Sequence, residues 1–179
     1  CREDVFLEVI VAPDFAPEAL EMLRARWTGV RLLAVGDRAP SATRKIDYRS
    51  VPGGMLVQDR DIALPAPDKW VHAAGPAPKP EQLAAAAFLE VVVRFVGSNA
   101  IVIGGREGSG AVRLYGIGSG QVDRVSACRL AVEKAGAKAK GAVALGDAFF
   151  PFPDGPKVLL DAGVSMIVHP GGSKRDAET

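Results

Sequence analysis

Residues 141–155 run Gly141-Ala142-Val143-Ala144-Leu145-Gly146-Asp147-Ala148-Phe149-Phe150-Pro151-Phe152-Pro153-Asp154-Gly155. The apolar segment Gly141 to Leu145 has the length and composition of a buried strand. Pro151 can continue neither a helix nor a central strand, so the chain must turn there. A helix-like stretch follows. Strand, aromatic turn and helix in that order describe an α/β unit, with Phe149, Phe150 and Phe152 and two carboxylates at the carboxyl end of the strand. Open α/β sheets bind their ligands at that end. Two readings of the aromatic run are open: a ligand platform, or a plug that closes the core beneath the turn.

Outward from this stretch the chain alternates β-branched runs with amphipathic or alanine-rich segments. Val5 to Val11 reads as a strand, Pro17 to Trp27 as a helix, Val30 to Val35 as a strand, and Pro80 to Val96 as a long helix opened by proline. Ile101 to Gly104 and Arg113 to Ile117 predict two strands around the turn 104–110. A helix is expected from Val122 to Lys134, with Val125, Cys128 and Val132 facing inward and Gly136 as its stop. Val158 to Ala162 closes a short helix, and Val164 to Val168 is the last strand. The fold class is α/β, a mixed sheet with flanking helices. Between Gly36 and Val51 the chain is polar, and prolines at 65, 67, 76, 78 and 80 mark a stiff surface connection. The expected organisation is an amino-terminal lobe over 1–64, that connection over 65–80, and a carboxyl-terminal lobe over 81–179.

The turn Gly116-Ile117-Gly118-Ser119-Gly120 leads into the expected helix at Val122, whose first amides lack partners within the helix. It offers a cradle for phosphate or carboxylate, with Arg124 as a forked donor one turn on. It is neither a Walker loop nor the dinucleotide fingerprint, and the alternative is a plain turn. His169 before Pro170 reads as a local hydrogen-bonding side chain, His72 has no partner pattern, and Cys128 reads as a small core residue. Zinc chemistry has no support, because no His-x-Glu or Pro-Cys-x-x-Cys element is present.

The aromatic run and four further segments, in order, carry a resemblance to a known family. They are Gly53 to Asp61, Ser98-Asn99-Ala100-Ile101-Val102, Gly116 to Arg124, and His169 to Asp176. Together they resemble the second half of AICAR transformylase, the formyl-transferring part of a bifunctional purine biosynthesis family that also carries an IMP cyclohydrolase domain. The likeness begins at Phe6 and runs to the last residue. It implies a cytidine-deaminase-like transformylase subdomain, 10-formyltetrahydrofolate as co-substrate, and the AICAR nucleotide as formyl acceptor. The position matching Asn99 lies at the reacting amine and formyl group, and an asparagine polarises a carbonyl without changing its own protonation state. Arg124 matches a nucleotide contact. Phe149 and Phe152 would bracket the flat heterocycles of nucleotide and folate. Asp154, Gly171, Gly172 and Ser173 match folate-side positions, and Glu8 an acidic position near the nucleotide, the alternative for Glu8 being a solvent-facing strand carboxylate. The stretch Phe88 to Gly97 departs from the family, with Glu90, Val91, Phe95 and Gly97 replacing polar or basic residues. It leaves an apolar helix to be covered by a missing subdomain, a second copy or another partner.

In that family a first transformylase subdomain bears a Lys-His pair central to catalysis, and nothing in this chain matches it. The chain opens on Cys1 and stops at Thr179. The expectation is therefore an excised or processed piece with an incomplete fold, or a descendant that has lost the rest. Two functions follow: part of a folate-dependent formyltransferase, inactive as it stands, or a non-catalytic assembly subunit derived from the same fold. The family's homodimeric enzymes imply association with a second copy or with the complementary subdomain. Lys and Arg number 22 against 21 Asp and Glu, which gives no general pull toward nucleic acid. No apolar run approaches a membrane span and no signal peptide is visible. Two cysteines without metal-ligand spacing suit a reducing compartment, so the expected location is cytoplasmic, or an organelle if a transit peptide has been removed.

Overall fold

The computed structural model describes residues 6–37, 46–108 and 110–178. Cys1, Val5, Ser109, Thr179 and the middle of the polar stretch, 38–45, lie outside the described residues. The chain divides into two compact units, 1–62 and 63–179.

In the first unit β1 (Val9–Ala12) and β2 (Arg31–Ala34) pair in parallel, joined through α1 (Pro17–Arg26). Pro17 supplies a preset φ where a missing N–H costs nothing, and Glu18 and the pair Arg24 and Arg26 sit at the dipole ends that favour them. The first strand starts later than expected, at Val9. A hairpin follows that the sequence reading did not foresee: β3 (Ile46–Val51) and β4 (Gly54–Asp59), paired from Ile46↔Asp59 to Val51↔Gly54. Pro52 and Gly53 form its tip, with φ of +79° at Gly53, the backbone of a type II turn. Every residue of both hairpin strands is exposed, and none of the described residues of this unit is buried.

The second unit has three layers. Its sheet runs β6-β5-β7-β8, built from β5 (Ile101–Arg106), β6 (Val112–Gly118), β7 (Val143–Gly146) and β8 (Met166–Val168). β5 is antiparallel to both neighbours and β7 is parallel to β8, so the sheet is mixed as expected. On one face lies α2 (Pro80–Val93), with Ala85, Ala86, Leu89 and Val93 buried against Val102, Val143 and Leu145. Gln82 reaches back to accept the Lys79 amide at 2.8 Å, and Pro80 occupies the first helical position. On the other face lie α3 (Arg124–Ala135) and α4 (Asp154–Asp161), covering Ile101, Ile103 and Ala144. β5 is therefore apolar on both faces, which explains its continuous rather than alternating pattern. The proline-rich stretch belongs to this unit, and Trp70 packs against the α2 layer. The helix expected to reach Val96 ends at Val93; Phe88 and Val91 on its outer side and Phe95 beyond its end are exposed. Among the described residues no helix is long and apolar enough to cross a membrane.

Two glycines set how closely α3 approaches. Gly116 and Gly118 are not a loop before the helix but part of β6, two apart and so on one face of the strand. A Cβ on Gly116 would lie 2.1 Å from the carbonyl oxygen of Ala131, and one on Gly118 1.9 Å from that of Ala127. The inner face of α3 is correspondingly Ala127, Ala131 and Ala135 with Cys128, while Val132 only flanks it. Helix backbone and strand backbone touch with no side chain between them. Gly118→Ala should therefore destabilise the protein by about 3 kcal/mol or more through overpacking against backbone. Val122→Ala, at a side chain 96% exposed, should stay within about 0.5 kcal/mol. Urea midpoints of the two variants check the contrast, and equal midpoints would contradict it.

Candidate functional site

One end of the four-stranded sheet gathers most of the residues singled out from sequence. Ile101 pairs with Gly118 on one side and Gly146 on the other, so the start of β5 and the ends of β6 and β7 lie together. Val168 at the end of β8 pairs with Leu145. Asn99 enters this end before β5, Arg124 opens α3, Phe149 and Phe152 follow β7, Asp154 opens α4, and Gly171, Gly172 and Ser173 follow β8. Glu8 belongs to the first unit, exposed, its carbonyl accepting the Arg31 amide at 2.8 Å as the first rung of the β1–β2 pair.

The centre of this end is a three-residue network. Arg124 donates to Asp147 at 2.6 Å through one terminal nitrogen and to Asn99 Oδ1 at 3.0 Å through the other. Asn99 donates through Nδ2 to the Gln121 carbonyl at 2.9 Å. The amide orientation follows from the partners: a guanidinium only donates, so Oδ1 faces it, and a carbonyl only accepts, so Nδ2 faces Gln121. Asp147 also accepts the Ala100 amide at 3.0 Å. The Arg124 and Asp147 side chains keep only 9% and 17% of their exposure. Burial acts to raise the Asp147 carboxyl, but hydrogen bonds from Ser98, Arg124 and the Ala100 amide, with the guanidinium charge, outweigh it and hold the group below its ordinary value.

The start of α3 is closed by the chain itself. Asp123 caps it, accepting the Ser126 amide and the Ser126 hydroxyl at 2.7 Å each, and these bonds hold its carboxyl below the ordinary range. With a carboxylate already there and Gly116 and Gly118 in the strand, the anion cradle expected from the glycine turn is not formed at this helix start.

The aromatic run splits its duties. Phe150 is fully buried, stacked edge-on with His169 at 5.1 Å and lying 5.9 Å from the Arg124 guanidinium carbon. Phe149 and Phe152 keep 40% and 50% exposure. Phe149 borders Gly172, whose added Cβ would lie 4.0 Å from the ring, and Arg175 lies over Phe152 at 5.3 Å. The Gly172 and Ser173 amides donate to Asp176 at 2.8 and 3.2 Å, so these donors are engaged within their own turn. Asp154 is exposed at the start of α4. His169 Nδ1 lies 2.8 Å from the Pro170 carbonyl, a local contact. Cys128 is buried among apolar neighbours, which pushes its thiol up to about 12 and leaves it inert at neutral pH.

Asp147 is the member of this network to which sequence reasoning gave no role. Its position was the available signal: a carboxylate directly after the last residue of a buried strand must find donors, and the nearest are Ala100 and Arg124.

A mixed-sheet α/β unit with an Asn–Arg–Asp network and exposed aromatic rings at one sheet end is the class of molecule this chain presents. It belongs to the AICARFT/IMPCHase bienzyme family, whose model matches residues 2–134. The chain is 42% identical over 175 residues to the bifunctional purine biosynthesis protein PurH of Parasynechococcus marenigrum (strain WH8102), covering 98% of this chain and 33% of that one. The protein of the same name from Prochlorococcus marinus (strain MIT 9303) is also 42% identical over 175 residues, with the same coverage. That from Natranaerobius thermophilus is 41% identical over 176 residues, again covering 98% of this chain and 33% of its own. The chain thus spans about a third of the length of the curated relatives it matches.

The depressed Asp147 carboxyl has a pH consequence. A group whose value is lower in the folded state contributes stability above its unfolded value, near 3.9, and loses it as pH falls through the folded value. Wild-type urea midpoints should therefore drop below about pH 4. Asp147→Asn, already lacking the charge, should be less stable at pH 7 and show a shallower drop. Parallel curves for the two proteins would remove Asp147 from the acid response.

Proposed function

We propose that this chain is the ligand-holding part of a folate-dependent formyltransferase of purine biosynthesis, and that it is inactive alone. In this reading formyl passes from 10-formyltetrahydrofolate to the 5-amino group of AICAR, on the way to IMP. The amine nitrogen attacks the formyl carbon, the bond from that carbon to N10 of the folate breaks, and the amine proton passes to the departing N10. The second unit would be the cytidine-deaminase-like subdomain of the family, working in the cytoplasm.

The observation that carries the proposal is the Asn99–Arg124–Asp147 network beside two half-exposed phenylalanines, in a chain of this family. With Oδ1 and Nδ2 each engaged once, Asn99 retains one lone pair and one N–H. Those suit an amine donor on one side and a developing oxyanion on the other. Phe149 and Phe152 supply faces for flat rings, and the chain's contribution is to hold two ligands so that amine and formyl carbon meet. Proton transfer would fall to the Lys-His segment that the family places outside these residues. Assembly with that segment, or as a homodimer, belongs to the same proposal. An assembly role without catalysis is the second reading, favoured by the exposed Phe88, Val91 and Phe95 of α2 and its following turn.

The test is complementation. The purified chain should give no AICAR formylation, and turnover should appear when the remaining portion of the Parasynechococcus marenigrum relative is supplied in trans. In the complemented sample Phe152→Ala should weaken a folate analogue by on the order of 1 kcal/mol, whereas Arg124→Ala should weaken AICAR. Calorimetry detecting neither ligand in a folded, complemented sample would overturn the catalytic reading in favour of the assembly one. Robust formylation by the chain alone would overturn its inactivity.

A further inference from the structure

Asn99 is useful to a reaction only if its amide points one way. A free asparagine rotates about its last torsion and offers donor and acceptor interchangeably. Here the Gln121 carbonyl holds Nδ2 at 2.9 Å and Arg124 holds Oδ1 at 3.0 Å. The second of these bonds depends on a long, otherwise mobile side chain. What anchors that side chain is the 2.6 Å bond to Asp147, with a weaker 3.5 Å approach to the Ala100 carbonyl. Asp147 is anchored in turn by the backbone: its Oδ1 accepts the Ala100 amide, and its own amide donates to the Ala100 carbonyl at 3.2 Å. The two strand ends that flank the site, before β5 and after β7, are thus tied together through the residue that grips the arginine.

We propose that Asp147 is a positioning residue, acting through Arg124 to fix the donor and acceptor that Asn99 presents. It rests on the formyltransferase reading for what Asn99 then does, but the network exists in the free protein. Asp147 does not reach a ligand in this scheme. It aims the groups that do, so that little reorientation is left at the moment of binding. The carboxylate suits the task better than a neutral amide, because an ion pair with a guanidinium holds both position and charge in a site that is largely out of water.

The test has two arms. In the first, nitrogen-resolved NMR of the ligand-free 179-residue chain follows the Asn99 side-chain amide pair and the Arg124 Nε–H. Asp147→Ala should shift both, Asp147→Asn should shift them less, and the Gly104 and Gly105 amides at the far end of β5 should stay in place as a folding control. If Asp147→Ala does not fold, Asp147→Asn is read alone, and a shift at Arg124 with a smaller one at Asn99 is expected. Unmoved Asn99 and Arg124 signals in a folded variant would overturn the proposal. In the second arm, AICAR binding to the complemented protein should weaken about tenfold in Asp147→Ala, the loss expected for a hydrogen bond to a charged group. The same substitution should cause no further loss in an Arg124→Ala background. Additive losses in the double variant would show that Asp147 does not act through Arg124. Failure of the unaltered sample to bind AICAR would take down the formyltransferase reading, while the resonances still decide the positioning role.

Discussion

The closeness of α3 to β6 is the constraint on which the rest of the second unit depends. A strand normally keeps a packed helix at a distance set by its side chains. Gly116 and Gly118 remove those side chains on one face, and Ala127 and Ala131 answer them on the helix, so backbone meets backbone. A helix seated this deeply delivers its first residue, Arg124, into the end of the sheet rather than out to solvent. From there the guanidinium reaches two other segments, Asn99 before β5 and Asp147 after β7. A larger residue at either glycine would lift the helix and with it the arginine. Structural and candidate functional roles therefore meet at two positions packed beneath a helix.

The aromatic run resolves in a similar way. The core plug is present at Phe150, and the two other rings stay half-exposed, as the proposed platform requires. Phe150 closes the core, covered by α4 through Gly155, whose added Cβ would lie 2.8 Å from the ring. Phe149 and Phe152 flank it on either side in sequence and stay half-exposed, with Arg175 over one face of Phe152. All three rings lie in the loop between the end of β7 at Gly146 and the start of α4 at Asp154, where Pro151 offers no backbone N–H to extend the sheet.

Much of this was legible in the sequence because its signals are local. The β-branched run at Ile101 and the glycine stop at Gly136 each specify their element alone, and Gly136 takes the positive φ of +54° that its place after α3 requires. The β3–β4 hairpin was not read, although Pro52-Gly53 is a turn signal. Ile46 and Tyr48 alternate with Asp47 and Arg49, and the pairing sets Met55 and Val57 on the same face, so the period-two signal was there but was passed over in a stretch read as polar, and its apolar side chains stay exposed. Gly116 and Gly118 were noticed for the wrong reason, since glycines before a helix and glycines beneath a helix look alike until the strand is placed. The inward face of α3 was expected at Val125, Cys128 and Val132; Cys128 is there, but contact at this distance demands alanines in place of the valines. Asn99 and Arg124 were legible through family likeness, Asp147 only through the bonds that tertiary structure brings to it.

The order of segments along the chain has a kinetic side. β5, its turn, β6 and α3 are consecutive from Ile101 to Ala135, and they pack on one another. Contacts between near neighbours in sequence cost little loop-closure entropy, so this region needs no distant segment to begin forming. Arg124 belongs to it and Asn99 lies two residues before it, the two separated by a single hairpin and the entry to one helix. Asp147 directly follows β7, a strand that pairs with β5 and comes after α3 in the chain. The pair that would face a ligand is thus brought together by contacts close in sequence, and it is locked by a residue from further along the chain.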